Sequence, residues 1–278
     1  MTSSGHIPVN GGQIYVEATG DPSTPALLFI HAGVADCSMW GAQVEYFAPR
    51  YRVVRYDTRG YGQTTMDDVE FANHADAAAV LDHLGIAKAV LIGCSRGGGI
   101  AIDFTLEYPQ RTLALVTVAS GPAGFPYKPE DNDLTRFINT TFEAMETAWT
   151  ARDWETLAAL DVRLWGDGPS QPEGRMAAPL REKMQRMCLD RYRSWTTDGK
   201  PIELQPPAFE RLGEIKVPML IVDSDLDLPA MPAMAEAMQR AVPHAQRVTI
   251  HDAAHLPSME RPDAFNAALD DFLRHNTL

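Results

Sequence analysis

Gly93-Cys94-Ser95-Arg96-Gly97 is the stretch of sequence that decides the fold. It follows an apolar run and opens a helical pattern, so a serine lies between two glycines at a strand–turn–helix junction. A turn this sharp needs strained backbone, and larger neighbours would collide with the facing strand and helix. The turn exposes the hydroxyl of Ser95 and directs the N–H of Arg96 into the same space. The motif therefore predicts that Ser95 is a nucleophile and that the Arg96 N–H stabilises an oxyanion.

Around this motif, short apolar runs alternate with amphipathic stretches. The predicted strands are Gln13–Ala18, Ala26–Ile30, Arg52–Tyr56, Ala89–Gly93, Leu113–Ala119, Met219–Val222 and Arg247–Ile250. The predicted helices between and after them are Ala72–Leu84, Gly97–Tyr108, Pro232–Ala241 and Asp263–His275. This alternation is typical of an α/β fold with a mostly parallel central sheet flanked by helices.

The middle of the chain does not follow that rhythm. From Gly121 to Pro207 we find no convincing strand, whereas Phe137–Leu160 and Pro179–Tyr192 have helical patterns. An insertion of this length between two strands is normally a functional lid. We therefore predict a core of residues 1–120 and 208–278, with residues 121–207 as an inserted helical cap.

Charge and cysteine content narrow the classes of partner. The chain has 278 residues and a formal net charge of −13. Nucleic acids and anionic membranes require a basic footprint, so we expect neither as a partner. Cys37, Cys94 and Cys188 are too widely spaced for a metal cluster or a disulfide framework, and free thiols fit a cytoplasmic protein. The chain shows no signal-peptide pattern, and no apolar run approaches the roughly 20 residues that span a bilayer.

Three further motifs accompany the serine turn. His31-Ala32-Gly33-Val34 follows a buried strand, Asp57-Thr58-Arg59-Gly60-Tyr61-Gly62-Gln63-Thr64 follows the next, and Asp252-Ala253-Ala254-His255 precedes Glu260-Arg261-Pro262. With these motifs the chain resembles the α/β-hydrolase superfamily, in its serine hydrolase or esterase-like form with a helical cap. Two residues depart from the family pattern, since Ala32 and Asp252 stand where glycine is usual.

The resemblance implies a role for several of these residues. The Gly33 N–H becomes the second oxyanion donor beside that of Arg96, and His31 becomes a structural residue of the oxyanion loop. His255 is the expected general base, because it follows the last strand and the order serine, acid, histidine is that of this fold.

Three carboxylates are candidates for the acid, because Asp223, Asp225 and Asp227 all follow one strand. Counting from Pro218 along the family's pattern favours Asp227, with Asp225 next and Asp223 third. No metal motif, phosphate loop or dinucleotide motif is present, so we expect no metal and no other cofactor.

Large apolar residues of the insertion bear on the substrate. Trp149, Trp154, Trp165 and Trp195 either line an acyl pocket or form the core of the cap. We expect a small-molecule substrate, namely a small to medium carboxylic ester, lactone or thioester cleaved through an acyl-enzyme. The alternatives are a C–C bond hydrolase, a perhydrolase or a lyase or cyclase using the same triad, or a ligand receptor with slow turnover. The oligomeric state is left open.

Arg96 is unusual at the position after the nucleophile. One interpretation is an ion pair with a carboxylate of the lid or with Asp36. The other is a charge-assisted contact with an acidic or oxygen-rich substrate.

Overall fold

The structure, a computed structural model, describes residues 2–278 and contains eleven β-strands in that range. They are β1 (Thr2–Val9), β2 (Gly12–Thr19), β3 (Ala26–Ile30), β4 (Arg52–Tyr56), β5 (Thr65–Met66), β6 (Glu70–Phe71), β7 (Ala89–Cys94), β8 (Thr112–Val118), β9 (Lys200–Pro201), β10 (Met219–Ser224) and β11 (Gln246–Ile250).

The main sheet has the strand order β1-β2-β4-β3-β7-β8-β10-β11, with the short strand β5 also paired to β2. Strands from β4 to β11 along this path pair in parallel, whereas β2 pairs antiparallel with β1, β4 and β5. All residues of β3, β7 and β10 are buried, as expected for parallel strands covered by helices on both faces.

Ten α-helices cover and extend the sheet. They are α1 (Gly41–Phe47), α2 (Asn73–His83), α3 (Arg96–Glu107), α4 (Asp133–Ala151), α5 (Trp154–Asp161), α6 (Ala178–Ser194), α7 (Ala208–Arg211), α8 (Ala230–Ala241), α9 (Pro257–Glu260) and α10 (Pro262–His275).

The residues of β3 show how the two faces of the sheet are covered. Phe29 lies in an apolar cluster with residues of α1, α10 and the insertion, whereas its neighbour Ile30 lies in the cluster of α2, α3 and α8. Successive side chains of a strand point to opposite faces, so one short run supplies both cores. The predicted fold class is confirmed: a mostly parallel sheet flanked by helices, with a helical insertion of α4, α5 and α6 between β8 and β10.

The insertion differs in two respects from its sequence pattern. The single helix predicted over Phe137–Leu160 is two helices, because Arg152 adopts a left-handed conformation (φ 55°) and the Asp153 side chain caps α5 by accepting the N–H of Thr156. The segment also contributes a strand, β9, which pairs in parallel with β6. With two residues, it carries no periodic pattern that a sequence could reveal.

The division of the chain at residues 121 and 207 stays a prediction. Strand β1 was not predicted, since seven of its eight residues are not buried and it has no apolar alternation to detect. None of the helices within residues 2–278 has the length and apolar character needed to cross a membrane.

Candidate active site

Ser95 lies at the turn between β7 and α3, with φ 51° and ψ −118°. This strained conformation is held on both sides. The Ser95 N–H donates to Val118 O (2.8 Å), and its carbonyl accepts the hydroxyl of Ser120 (2.6 Å). The flanking glycines are required by contact: a Cβ at Gly93 would lie 2.0 Å from the carbonyl oxygen of Gly97. The backbone therefore fixes where the hydroxyl points.

His255 and Asp227 complete a hydrogen-bonded line that begins at Ser95. His255 Nε2 is 2.7 Å from Ser95 Oγ, and His255 Nδ1 is 2.8 Å and 2.9 Å from the two carboxylate oxygens of Asp227. The side chains of His255 and Asp227 are only 4% and 1% exposed, so the pair is shielded from water. The three residues follow β7, β10 and β11, and thus meet at the carboxyl edge of the parallel sheet.

The two other candidate carboxylates point elsewhere. Asp223 is buried within β10, where it pairs with Arg247 and accepts the hydroxyl of Thr249 (2.7 Å). Asp225 accepts from the exposed His251 (2.9 Å). Of the three, Asp227 is the carboxylate that the structure places against His255.

The predicted oxyanion donors both belong to residues close to Ser95. Arg96 is the first residue of α3, so its N–H has no acceptor within the helix and lies at the positive end of the helix dipole. Gly33 follows β3 and lines the same cavity as Ser95 and His255. Gly33 thus borders the space above Ser95 and Arg96 directly follows the serine, while their role as oxyanion donors stays a prediction.

His31 is fully buried and connects the Gly33 loop to the neighbouring turn. Its Nε2 accepts the N–H of Thr58 (2.9 Å), while Nδ1 donates to the carbonyl oxygen of Ala32 (2.8 Å). Burial lowers the pKa of His31, which favours the neutral ring that these two roles require. The unusual Ala32 is itself completely buried, and its N–H faces the sulfur of Met39 (3.3 Å).

A cavity of about 610 Å³, here called the catalytic cavity, opens above Ser95. Besides the serine, His255 and Gly33, it is lined by side chains of the insertion and of the Tyr61 turn, among them Phe142, Trp149, Asp161, Trp165, Arg191 and Tyr192. Of the four tryptophans predicted to bind substrate, Trp149 and Trp165 lie in this lining. The Trp165 ring packs 4.5 Å from the His255 ring, centroid to centroid.

A second space of about 390 Å³, here called the side cavity, adjoins the first. Tyr61, Arg191 and Asp198 line both, whereas Arg96 and Trp195 line the side cavity and not the catalytic cavity. Trp154 lies outside both cavities, packed against Trp149 and Tyr192. The four tryptophans thus fall into three different environments, which the sequence pattern did not distinguish.

Arg96 does not form the predicted ion pair with Asp36. Its guanidinium donates to Thr58 Oγ1 (2.6 Å) and Asn73 Oδ1 (3.0 Å) and lies over the Tyr61 ring, 5.1 Å from its centroid. Asp36 is occupied in capping the following turn, where it accepts the N–H of Ser38 (2.8 Å). Across residues 2–278, no carboxylate forms an ion pair with Arg96.

Two polar residues of the insertion, Arg191 and Asp161, also line the catalytic cavity and were not predicted from the sequence. Arg191 donates to the carbonyl oxygen of Gly33 (3.1 Å) and lies 4.3 Å from the centroid of the Tyr61 ring. Asp161 accepts the hydroxyl of Tyr192, and burial raises the pKa of this carboxyl to about 6. No local motif marks either residue, because helices α5 and α6 meet here only in three dimensions.

The three cysteines are free and buried. Burial raises the pKa of the Cys94 thiol, next to the serine, so this thiol is a poor nucleophile at neutral pH. In the chain from residue 2 onward, no group of three or more His, Cys, Asp or Glu side chains is arranged to hold a metal ion.

Comparison with known proteins shows which chains this one is similar to. Residues 27–268 match the model of a family described as the alpha/beta hydrolase family. A 3-oxoadipate enol-lactonase of Acinetobacter baylyi is 27% identical over 95% of this chain and 94% of its own length. A pimeloyl-[acyl-carrier protein] methyl ester esterase of Nitrosomonas europaea is 26% identical over 92% of this chain and 98% of its own. The crystal structure of a thermophilic esterase from Thermogutta terrifontis superposes with a TM-score of 0.76 at 24% identity, and 99% of each chain is covered.

We predict that Asp227→Asn lowers kcat for ester hydrolysis by about 10³- to 10⁴-fold, because a neutral amide can neither hold the imidazole tautomer nor stabilise the imidazolium. Asp225→Asn should remain close to wild type, since its partner is an exposed histidine. Asp223→Asn should act mainly on stability, lowering Tm with little loss of kcat, because it weakens a buried pair with Arg247. Steady-state kinetics and thermal unfolding of the three variants test this order. An inactive Asp225→Asn with an active Asp227→Asn would contradict it.

Proposed function

Because the chain belongs to the alpha/beta hydrolase family, we propose that it is a serine hydrolase that cleaves a small to medium carboxylic ester, lactone or thioester through an acyl-enzyme. The observation that carries the proposal is the unbroken hydrogen-bonded line from Ser95 Oγ through His255 to Asp227. A serine alone is a weak nucleophile, and an adjacent base oriented by a buried carboxylate is what activates it.

In the proposed reaction, Ser95 Oγ attacks the carbonyl carbon while His255 Nε2 accepts the hydroxyl proton. The carbonyl oxygen becomes an oxyanion beside the N–H groups of Gly33 and Arg96. The tetrahedral intermediate collapses when His255 returns the proton to the leaving oxygen or sulfur, which departs as an alcohol or thiol or, for a lactone, becomes the hydroxyl of the opened ring. Water then attacks the acyl-enzyme by the same path, giving the acid and free Ser95.

The size and lining of the catalytic cavity support a small to medium substrate. Its volume of about 610 Å³ lies within the range usual for small-molecule sites. Two relatives are named as an enol-lactonase and a methyl ester esterase, and both names describe the cleavage of a carboxylic ester bond. We propose that residues 121–207 form the cap whose side chains, including Trp149 and Trp165, contact the acyl group.

Ser95→Ala should lower turnover of p-nitrophenyl acetate by at least about 10³-fold without loss of folding, because only binding and oxyanion contacts remain. A fluorophosphonate probe should label the wild-type protein at Ser95. The matched control, Ser38→Ala, should keep both labelling and turnover. Labelling of another serine, or an active Ser95→Ala, would contradict the nucleophile.

Sustained turnover also separates a hydrolase from the alternatives that use the same triad. A single burst of product equal to the enzyme concentration, with no steady state, would favour a slow-turnover receptor. C–C hydrolysis or a lyase or cyclase reaction would appear as labelling at Ser95 without turnover of any ester, lactone or thioester, whereas perhydrolysis would appear as formation of a peracid from an ester when hydrogen peroxide is added.

Trp149→Ala should change acyl-chain preference, whereas Trp154→Ala should not. The first residue lines the catalytic cavity and the second lies outside it within the same aromatic cluster, which makes them a matched pair. Since one methylene in an apolar pocket is worth about tenfold or more in kcat/KM, we expect the hexanoate-to-acetate ratio to move at least about tenfold for Trp149→Ala and less than about twofold for Trp154→Ala. Equal shifts in both variants would mean that the cluster acts only by packing.

We further propose that Arg96, together with Arg191, meets a carboxylate or another polar acceptor of the substrate at the junction of the two cavities. Both guanidiniums face the Tyr61 ring, and their hydrogen bonds go to neutral oxygens. Asp198 also lines both cavities and Asp161 lines the catalytic cavity, so an anionic group would have to be bound by the two arginines against these carboxylates.

Arg96→Met should therefore raise KM about tenfold for an ester whose acyl group carries a free carboxylate, and leave KM for a neutral ester of equal length unchanged. The size follows from the loss of one charge-assisted hydrogen bond. Thermal unfolding is the control for its contacts with Thr58 and Asn73. A fall in Tm together with an equal rise in KM for both esters would show that Arg96 is structural and would contradict the proposed contact with the substrate.

A further inference from the structure

An ion pair between Arg175 and Glu260 joins the insertion to the loop that carries His255. Arg175 precedes α6, and Glu260 is the last residue of α9. Their side chains are 16% and 4% exposed, and neither is among the residues that line the catalytic cavity. Their contacts nevertheless reach the backbone just before the proposed base and the backbone of the insertion that faces it.

Glu260 holds the residue directly before the base. Its Oε1 accepts the N–H of Ala254 (2.9 Å), while Oε2 pairs with Arg175. Burial raises the pKa of Glu260, and the guanidinium of Arg175 acts against that rise. The carboxylate therefore depends on Arg175 to remain charged, and the Ala254 N–H depends on the carboxylate for its acceptor.

Arg175 uses its other donors on the backbone around Trp165 and His255. Nε donates to Asp167 O (2.6 Å), Nη2 to Gly166 O (2.8 Å) and Nη1 to Asp252 O (3.3 Å). The carbonyl of the preceding Trp165 in turn accepts the His255 N–H (3.2 Å), and the indole packs on the imidazole.

The insertion also lies close to the loop that carries Asp227. A Cβ at Gly168 (φ 92°) would lie 2.5 Å from the carbonyl oxygen of Leu226, next to Asp227. The insertion therefore contacts both the loop that carries the proposed base, His255, and the loop that carries the proposed acid, Asp227.

We infer that Arg175 and Glu260 are positioning residues for the triad: together they fix the backbone before His255 and the Trp165 ring beside it, so that the imidazole stays in line between Ser95 and Asp227. This inference rests on the proposed function. Displacement of a reacting group by about 1 Å can cost on the order of 10² in rate, so loss of the pair should act on kcat rather than on KM.

A second ion pair provides a matched control. Arg247 and Asp223 have side chains that are 22% and 5% exposed, close to the values for Arg175 and Glu260. This control pair joins β10 to β11 and does not contact the loop of residues 252–256. If the Arg175–Glu260 pair only stabilised the fold, its loss should affect kcat no more than loss of the Arg247–Asp223 pair does.

The test compares Arg175→Met with Arg247→Met in the full-length protein. For Arg175→Met we expect kcat for p-nitrophenyl acetate and the rate of fluorophosphonate labelling at Ser95 to fall at least about tenfold, with KM changed less than about twofold. Arg247→Met should lose no more than about twofold in kcat at a similar loss of Tm. Arg175→Lys should recover only part of the rate, because an ammonium cannot replace the planar fork of donors. An Arg175→Met enzyme whose kcat matches that of Arg247→Met would overturn the inference.

Two further measurements do not depend on the substrate. In proton NMR, the downfield Nδ1–H resonance of His255, assigned by its loss in Asp227→Asn, should shift or broaden in Arg175→Met and remain unchanged in Arg247→Met. Fluorophosphonate should label Ser95 in the double variant Arg175→Met/Glu260→Gln no more slowly than in the slower of the two single variants, because the two residues act as one unit. Additive losses, or an unchanged resonance in Arg175→Met, would overturn the inference. Absence of labelling and turnover in the wild type would instead count against the proposed function and leave the NMR comparison valid.

Discussion

Helix α3 begins so close to strand β3 that no side chain fits between them at Gly97, where a Cβ would lie 2.3 Å from the carbonyl oxygen of Ile30. This approach sets the angle at which β7 turns into the helix and holds Ser95 at φ 51°. It also brings the first N–H groups of α3 beside the loop that follows β3. The geometry of the serine, its helix terminus and the Gly33 loop therefore has one cause, which is close packing of backbone against backbone.

Much of the fold could be predicted because its signals are local. The apolar runs of β3, β7 and β10 and the glycine spacing around Ser95 are dictated by neighbours in sequence, and the match to the family over residues 27–268 agrees with them. Strands without a buried face of their own, such as β1 and β9, left no such signal. The break between α4 and α5 depended on one capping aspartate, which a helical periodicity reads as an ordinary polar residue.

The candidate site divides in the same way. Ser95 and His255 could be predicted from motif and position, and Asp227 from the family's spacing, whereas their roles stay predictions. The partners of Arg96 could not be found from the sequence, since Thr58 and Asn73 become its acceptors only when the segment after β4 and the start of α2 come together. Arg191 and Asp161 likewise enter the cavity from helices whose relative position no short motif encodes. Tertiary packing, rather than local propensity, decides what surrounds the serine.

The insertion is not a separable lid laid over a finished core. One guanidinium of the insertion, that of Arg175, binds four oxygens, of which two belong to the insertion and two to the segment around His255. In evolutionary terms, such a joint limits modularity. A cap exchanged between relatives to obtain a new specificity would have to bring an equivalent of Arg175 and a residue as small as Gly168, or co-evolve with a rebuilt loop around the histidine. Substrate range in this lineage should therefore change more readily by point substitutions on the cavity wall than by recombination of whole caps.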